Sequence, residues 1–238
     1  MPNQFTGKVA LVTGGTGGLG RAVTLAFLHE GASVIATYIK KDEADALRDA
    51  VGPNARLELL PLDATDEDDC RTLVDGITAR YGQIDILVNT IGGYAAGKPM
   101  WETETATFQL MLTLNLRTGH NLAKAAVPAM LRRKSGAIVN IAAKAAFDHA
   151  AGAAAYAVSK SGALALFDCL AQDLKGTGIR VNSVLPSIID TDPNRKAMPA
   201  ADFSKWPKPE EIAQVILFLC SDQAKVVHGA AIPVYGES

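Results

Sequence analysis

Short apolar runs alternate with helical stretches along most of the chain, and no other feature restricts its folding as strongly. Residues 9–13, Val-Ala-Leu-Val-Thr, read as a buried strand, and residues 21–30 as a helix stopped by Gly31. A second strand over 33–38 precedes a helix over 42–51 that ends at Gly52-Pro53. Further apolar runs lie at 57–60, 84–89, 137–142 and 179–185, with helical patterns at 66–81, 102–134 and 152–175 between them. Runs that are apolar throughout suit strands covered on both faces, and strand–helix–strand alternation closes through right-handed crossovers. The predicted fold class is therefore α/β: a single doubly wound parallel sheet with helices on both faces. With no repeat or low-complexity linker to divide it, the chain is expected to be one domain over 1–238.

Composition narrows the function classes. Hydrophobic residues are 48% of the 238, enough for a sizeable core. The 23 Lys and Arg nearly balance the 25 Asp and Glu, for a net charge of −2. That balance speaks against a nucleic-acid partner of the usual basic kind. No uncharged apolar run reaches the roughly 18 residues of a membrane span. Lys144, Asp148 and His149 interrupt the longest Ala-rich stretch, and the opening Met1-Pro-Asn-Gln-Phe-Thr-Gly-Lys8 lacks a signal-peptide core. Cys70, Cys169 and Cys220 are odd in number and lack a metal spacing, as do His29, His120, His149 and His228, so no metal is expected. The expectation is a soluble, reduced, cytoplasmic protein. Trp101 and Phe108, at helical spacing, are expected to pack rather than to stack on a ligand.

One segment departs from the alternation. Pro186, Pro193, Pro199, Pro207 and Pro209 crowd a stretch that also carries Asp190, Asp192, Arg195 and Lys196. A long irregular connection in a compact domain is commonly functional, and this one follows the carboxyl end of a strand, the edge where open α/β sheets bind ligands. A substrate lid at about 187–208 is expected; a plain surface excursion is the alternative.

Thr13-Gly14-Gly15-Thr16-Gly17-Gly18-Leu19-Gly20 joins the first strand to the first helix. Glycines allow a sharp turn and a close approach to a pyrophosphate at the positive helix N-terminus. Alone, such a string is as readily a flexible turn; the strand before it and the helix after it give it meaning.

The spacing of this loop resembles that of the short-chain dehydrogenase/reductase family, and the resemblance continues through nearly the whole chain. Asp63 matches the family's adenine-contacting aspartate, and Asn89-Thr90-Ile91-Gly92 is similar to its Asn-Asn-Ala-Gly motif. Asn115 falls at the active-site asparagine, and Tyr156-Ala-Val-Ser-Lys160 is the Tyr-x-x-x-Lys signature. The stretch from Asn182 through Pro186 to Thr191 resembles the nicotinamide clamp, with Ser187 where glycine is usual. The resemblance implies a Rossmann-like reductase with Tyr156, Lys160 and Asn115 at the chemistry. It implies a dinucleotide held by Gly14, Thr16, Gly17, Gly18, Leu19, Gly20, Tyr38, Lys40, Asp63, Ala64, Asn89, Ile91, Gly92, Pro186, Ile189 and Thr191. A homo-oligomer, dimer or tetramer, is implied as well, with the Ala-rich helix of 152–170 against a partner subunit; an intrachain contact is the alternative.

A spacing of four stacks Tyr156 and Lys160 on one helix face. Taken alone they are an exposed Tyr and Lys. Beside a nicotinamide, the ammonium is expected to lower the phenol's pKa and let it exchange a proton near neutrality. Tyr38 ends the second strand where an acidic residue would bind both ribose hydroxyls of NADH, and Lys40 and Lys41 follow. These ammonium groups point to NADP(H) in preference to NAD(H).

Ala143 occupies the place of the family's serine. The stretches around Ala143, Tyr94 and residues 190–206 resemble dihydropteridine reductases, which implies a quinonoid dihydropterin substrate near Ala143, Tyr94 and Trp206. A carbonyl or alcohol oxidoreductase is the alternative, and a non-catalytic dinucleotide sensor a second.

Overall fold

The computed structural model describes residues 3–53 and 56–238; Met1 and Pro2 of the opening lie outside the described residues. Among the described residues there are seven strands: β1 Val9–Thr13, β2 Ser33–Tyr38, β3 Leu57–Pro61, β4 Ile86–Asn89, β5 Gly136–Ile141, β6 Ile179–Pro186 and β7 Ala231–Val234. The helices are α1 Gly18–His29, α2 Lys41–Val51, α3 Glu67–Tyr81, α4 Thr105–Leu112, α5 Thr118–Arg133, α6 Ala154–Asp173, α7 Asp192–Ala197 and α8 Pro209–Cys220. All seven strands form one sheet in the order β3-β2-β1-β4-β5-β6-β7, and every pairing is parallel. This is the doubly wound α/β fold expected from the alternation.

Alternate residues of each strand feed opposite faces. Val12 joins Val23, Phe27 and Ile216 in the core under α1 and α8. Leu11 joins Val74, Leu122, Ile138 and Phe167 in the core under α3, α5 and α6. Strand order reverses between β1 and β4, whose carboxyl ends pair at Thr13 and Asn89. The switch point of such a sheet opens a crevice, and here it opens beside the glycine loop.

Local chemistry sets the element ends. The Asp66 side chain caps α3 by accepting from Asp68 N at 2.8 Å and Asp69 N at 3.1 Å, and Gly82 ends it in the left-handed region. The single helix expected over 102–134 is instead three pieces. A 3₁₀ turn at Met100–Glu102 precedes α4, and a π turn at Thr113–Arg117 separates α4 from α5. Hydrophobic periodicity does not register a one-residue widening of the ladder, so the sequence pattern ran across it. Trp101 does not pack as expected: it is 79% exposed, and Phe108 is also exposed.

Neither β7 nor α8 is marked by the apolar alternation. β7 is a four-residue edge strand with Pro233 inside it, tolerable because an edge needs only one ladder. α8 starts at Pro209, the last proline of the irregular segment, where a proline suits the first turn. The lid segment itself is partly helical, with α7 and a 3₁₀ turn at Phe203–Lys205. Arg195 holds it together: Nε donates to Asp190 Oδ1 at 2.5 Å, Nη2 to Oδ2 at 2.8 Å, and the guanidinium lies 4.9 Å from the Phe203 ring centroid. Among the described residues no helix is long and apolar enough to cross a membrane. Nor does any group of three or more His, Cys, Asp or Glu stand ready to hold a metal ion.

Candidate active site

The glycine loop turns because Gly14 takes φ +69° and packs its backbone against the start of α1. A Cβ at Gly20 would run into the Gly14 carbonyl oxygen and come within 2.7 Å of Thr90 Oγ1. Only glycine permits this approach. The loop is then pinned from β4, where Thr90 Oγ1 donates to the Thr13 carbonyl at 2.7 Å and lies 3.2 Å from that of Gly14. α1 begins at Gly18, three residues before the sequence pattern places it, so Gly18, Leu19 and Gly20 of its first turn line the crevice.

A groove of about 360 Å³ runs along this loop, lined by Gly14, Thr16–Gly20, Thr37–Lys40, Glu43, Leu62 and Thr90–Gly92. Most of the expected dinucleotide residues therefore meet in one place. Thr191 closes over them from the lid: a Cβ on Gly18 would lie 2.9 Å from Thr191 Cγ2. Asp63 lines the adjoining surface cavity, which shares Tyr38, Ile39 and Leu62 with the groove. Its carboxyl accepts from Thr65 Oγ1 at 2.7 Å and Thr65 N at 2.9 Å, bonds that hold it below the usual carboxylate range. Ala64 is buried, its carbonyl accepting from Asn121 Nδ2 at 3.1 Å. Asn89 ends β4. Its side chain is buried within the sheet, accepting from Thr13 Oγ1 at 3.1 Å and donating to Asn140 Oδ1 at 3.2 Å. It ties three strand ends together. Pro186 ends β6, and Ile189 follows, packed against the α1–α8 core.

Beyond the groove three elements converge. Asn115 lies in the π turn, buried, and its Oδ1 accepts from Gly93 N at 2.9 Å. Its Nδ2 donates to the Gly93 carbonyl at 3.0 Å and to Ser159 Oγ at 2.9 Å. Ser159 Oγ in turn donates to the Tyr156 carbonyl at 2.7 Å. Asn115 thus fastens the loop after β4 to α6. Ser159 was not singled out in the sequence, and its one signal was its place inside Tyr-x-x-x-Lys.

Lys160 Nζ donates to the Ile141 carbonyl at 2.9 Å, and a Cβ on Gly92 would lie 3.2 Å from it. Burial pulls the Lys160 ammonium down to about 8. Tyr156 moves the other way: burial pushes its phenol up to about 12, with Tyr94 adding to the rise. In the free protein burial dominates the Tyr156 phenol, and no lowering by Lys160 accompanies it. The Tyr94 ring meets the Tyr156 ring edge-on, centroids 4.9 Å apart at 77°, while remaining 71% exposed. Ala143, 7% exposed, follows two residues after Ile141, whose carbonyl holds Lys160, and carries no hydroxyl. Trp206, expected beside the substrate, is instead only 6% exposed, with its ring 5.0 Å from Phe203. It serves as the lid's own core.

Lys160 yields a stability prediction. Between pH 8 and its unfolded value near 10.5, the folded chain binds fewer protons at this position than the unfolded chain. Stability therefore rises with pH across that window. Lys160→Met removes that contribution, so wild type should gain about 2 kcal/mol on the variant between pH 7.5 and 10. Denaturant midpoints at the two pH values measure it; parallel pH dependence in both proteins would refute the burial of the charge.

A groove shaped for a dinucleotide, ending at a half-buried phenol and a buried ammonium, defines the class: an NAD(P)-dependent oxidoreductase. A family model described as enoyl-(acyl carrier protein) reductase matches residues 14–236. The chain is 35% identical to a 3-oxoacyl-(acyl-carrier-protein) reductase FabG of Thermotoga maritima over 242 residues, covering 98% of each chain. It is 33% identical to a D-threitol dehydrogenase of Mycolicibacterium smegmatis, covering 98% of this chain and 93% of the other. A solved short-chain type dehydrogenase/reductase from Mycobacterium ulcerans superposes with a TM-score of 0.92 at 28% identity, over 98% of this chain and 90% of that one. The chain belongs to the short-chain dehydrogenase/reductase family.

Proposed function

We propose that this enzyme reduces a flat, conjugated acceptor of the quinonoid dihydropterin type, with NADP(H) preferred to NAD(H). The observation that carries the reading is the Tyr94 ring standing edge-on to Tyr156, in a chain whose Ala143, two residues past the Ile141 carbonyl that holds Lys160, brings no hydroxyl. A simple ketone concentrates charge on one oxygen, where two converging donors each contribute, and losing one commonly costs about 3 kcal/mol. A quinonoid ring spreads incoming electron density over several nitrogens and an oxygen, so one phenolic donor suffices. Tyr94 offers such a ring an aromatic wall.

In this reading, Gly14, Thr16–Gly20 and Thr191 would hold the dinucleotide's phosphates, and Tyr38, Lys40, Asp63 and Ala64 its adenosine end. Ile91, Gly92, Pro186 and Ile189 would border the nicotinamide half, with Asn89 bracing the strand end behind them. The dinucleotide, when bound, supplies the hydride. Tyr156, neutral through physiological pH, gives its proton to the acceptor, and Lys160 stabilises the phenolate left behind. Asn115 and Ser159 fix the helix that carries both. The same reading takes residues 1–238 as one domain with its lid at about 187–208. It is a cytoplasmic homo-oligomer, dimer or tetramer, meeting its partner through the outward stripe of Val158, Ala165 and Cys169 on α6.

A second reading, reduction of a carbonyl, is favoured by the reactions named for the relatives. Dinucleotide consumption with a quinonoid dihydropterin, a 3-oxoacyl thioester and simple ketones separates the two. Wild type should turn over the dihydropterin, and Ala143→Ser should leave that rate within about threefold. A wild type that binds the dinucleotide yet leaves the dihydropterin untouched would end the pterin reading, and ketone activity gained by Ala143→Ser would favour the carbonyl one.

A further inference from the structure

The adenosine end of the groove contains a charge pair that the proposed chemistry does not use. Lys40 precedes α2 and Glu43 lies in its first turn, with Lys40 Nζ 3.0 Å from Glu43 Oε1. The other carboxylate oxygen, Oε2, accepts from Thr16 Oγ1 at 3.3 Å. A single carboxylate thus bridges the glycine loop to the turn after β2. Among the described residues that line the groove, Lys40 is the one cation and Glu43 the one anion. Lys41 is engaged elsewhere, 3.0 Å from Asp45.

We propose that Glu43 sets the discrimination between a 2′-phosphorylated and a plain adenosine ribose, by acting as the internal counter-ion of Lys40. The inference rests on the reading that Lys40 receives the 2′-phosphate. The two donors that now hold a carboxylate, an ammonium and a hydroxyl, are those a 2′-phosphate requires. A phosphate reaching them must displace Glu43 and then lie beside its negative charge. A free 2′-hydroxyl meets no such repulsion and can donate to the same carboxylate. Glu43 therefore penalises the phosphate while favouring the diol, an acidic group supplied from α2 rather than from the end of β2.

The pair restrains the phosphate without excluding it. Lys40 and Glu43 side chains are 69% and 37% exposed, and ion pairs so open to water are weak and readily exchanged. Glu43 also holds the Lys40 ammonium above lysine's ordinary range, so the cation stays charged for an incoming anion.

The test uses fragments that lack nicotinamide, so binding is read without turnover. Calorimetric titration with adenosine 2′,5′-bisphosphate and with 5′-AMP compares ligands differing only in the 2′-phosphate. Glu43→Gln keeps the shape and an acceptor for Thr16 but removes the charge. It should bind the bisphosphate roughly tenfold tighter at low salt while leaving 5′-AMP unchanged or weaker, with the gain shrinking at high salt. Lys40→Met should weaken the bisphosphate alone. If Lys40→Met leaves the ratio of the two affinities unchanged, Lys40 does not meet the phosphate, and the cofactor reading falls together with the inference. If Lys40→Met lowers the ratio but Glu43→Gln does not raise it, that reading stands and the role of Glu43 is overturned.

Discussion

Tyr156→Phe should reduce turnover by about a hundredfold to ten-thousandfold, the usual contribution of a positioned general acid, while dinucleotide affinity stays within a few-fold of wild type. The change deletes one hydroxyl and leaves the ring in place. That ring packs edge-on against Tyr94, and the Tyr156 backbone carbonyl still accepts from Ser159 Oγ. The lost group is a phenol that burial keeps protonated up to about 12, so at neutral pH it enters a reduction as the donor. The loss should therefore appear in kcat, with KM little changed. Steady-state kinetics with the active substrate, beside fluorescence titration of the reduced dinucleotide, measures both. Wild-type turnover in the phenylalanine variant would place the chemistry elsewhere.

Gly20→Ala should have the second largest effect, and by another route. The added methyl would collide with the Gly14 carbonyl oxygen and crowd Thr90 Oγ1, the hydroxyl that pins the loop. Both neighbours belong to the cradle, so relief requires the loop to move. Overpacking of this kind costs about 1–3 kcal/mol, and dinucleotide affinity should fall by more than about a hundredfold because the displaced backbone is the binding surface. Gly76→Ala is the control. It lies inside α3 with nothing within 4 Å of a new Cβ, and should stabilise the helix by about 0.5–1 kcal/mol with affinity intact. Thermal melts and dinucleotide titration of the two variants give the comparison; an alanine at position 20 that binds as tightly as wild type would show that the loop is not the cradle.

What the residues specified by themselves was periodic or local. Strands β1, β2 and β6 and the helices α2 and α3 could be placed to within one or two residues, because an apolar run or a capped amphipathic stretch encodes its own geometry. The glycine loop and the Tyr156–Lys160 spacing were legible for the same reason: each is a short-range backbone requirement written in consecutive residues. The tertiary structure decided what depends on neighbours distant in sequence. The π turn at Asn115 leaves the apolar pattern unbroken, and its meaning comes from Gly93 and Ser159, brought together by packing. The resemblance sets Trp206 beside the substrate, yet in the fold its ring lies against Phe203. Burial, with Tyr94 adding to it, sets the direction for Tyr156 opposite to the one expected, since desolvation belongs to a folded environment and to no stretch of sequence. The Glu43–Lys40 pair lies three residues apart on one helix turn, but only the fold of β1 and β2 into one sheet carries Thr16 to it and makes that carboxylate part of the groove.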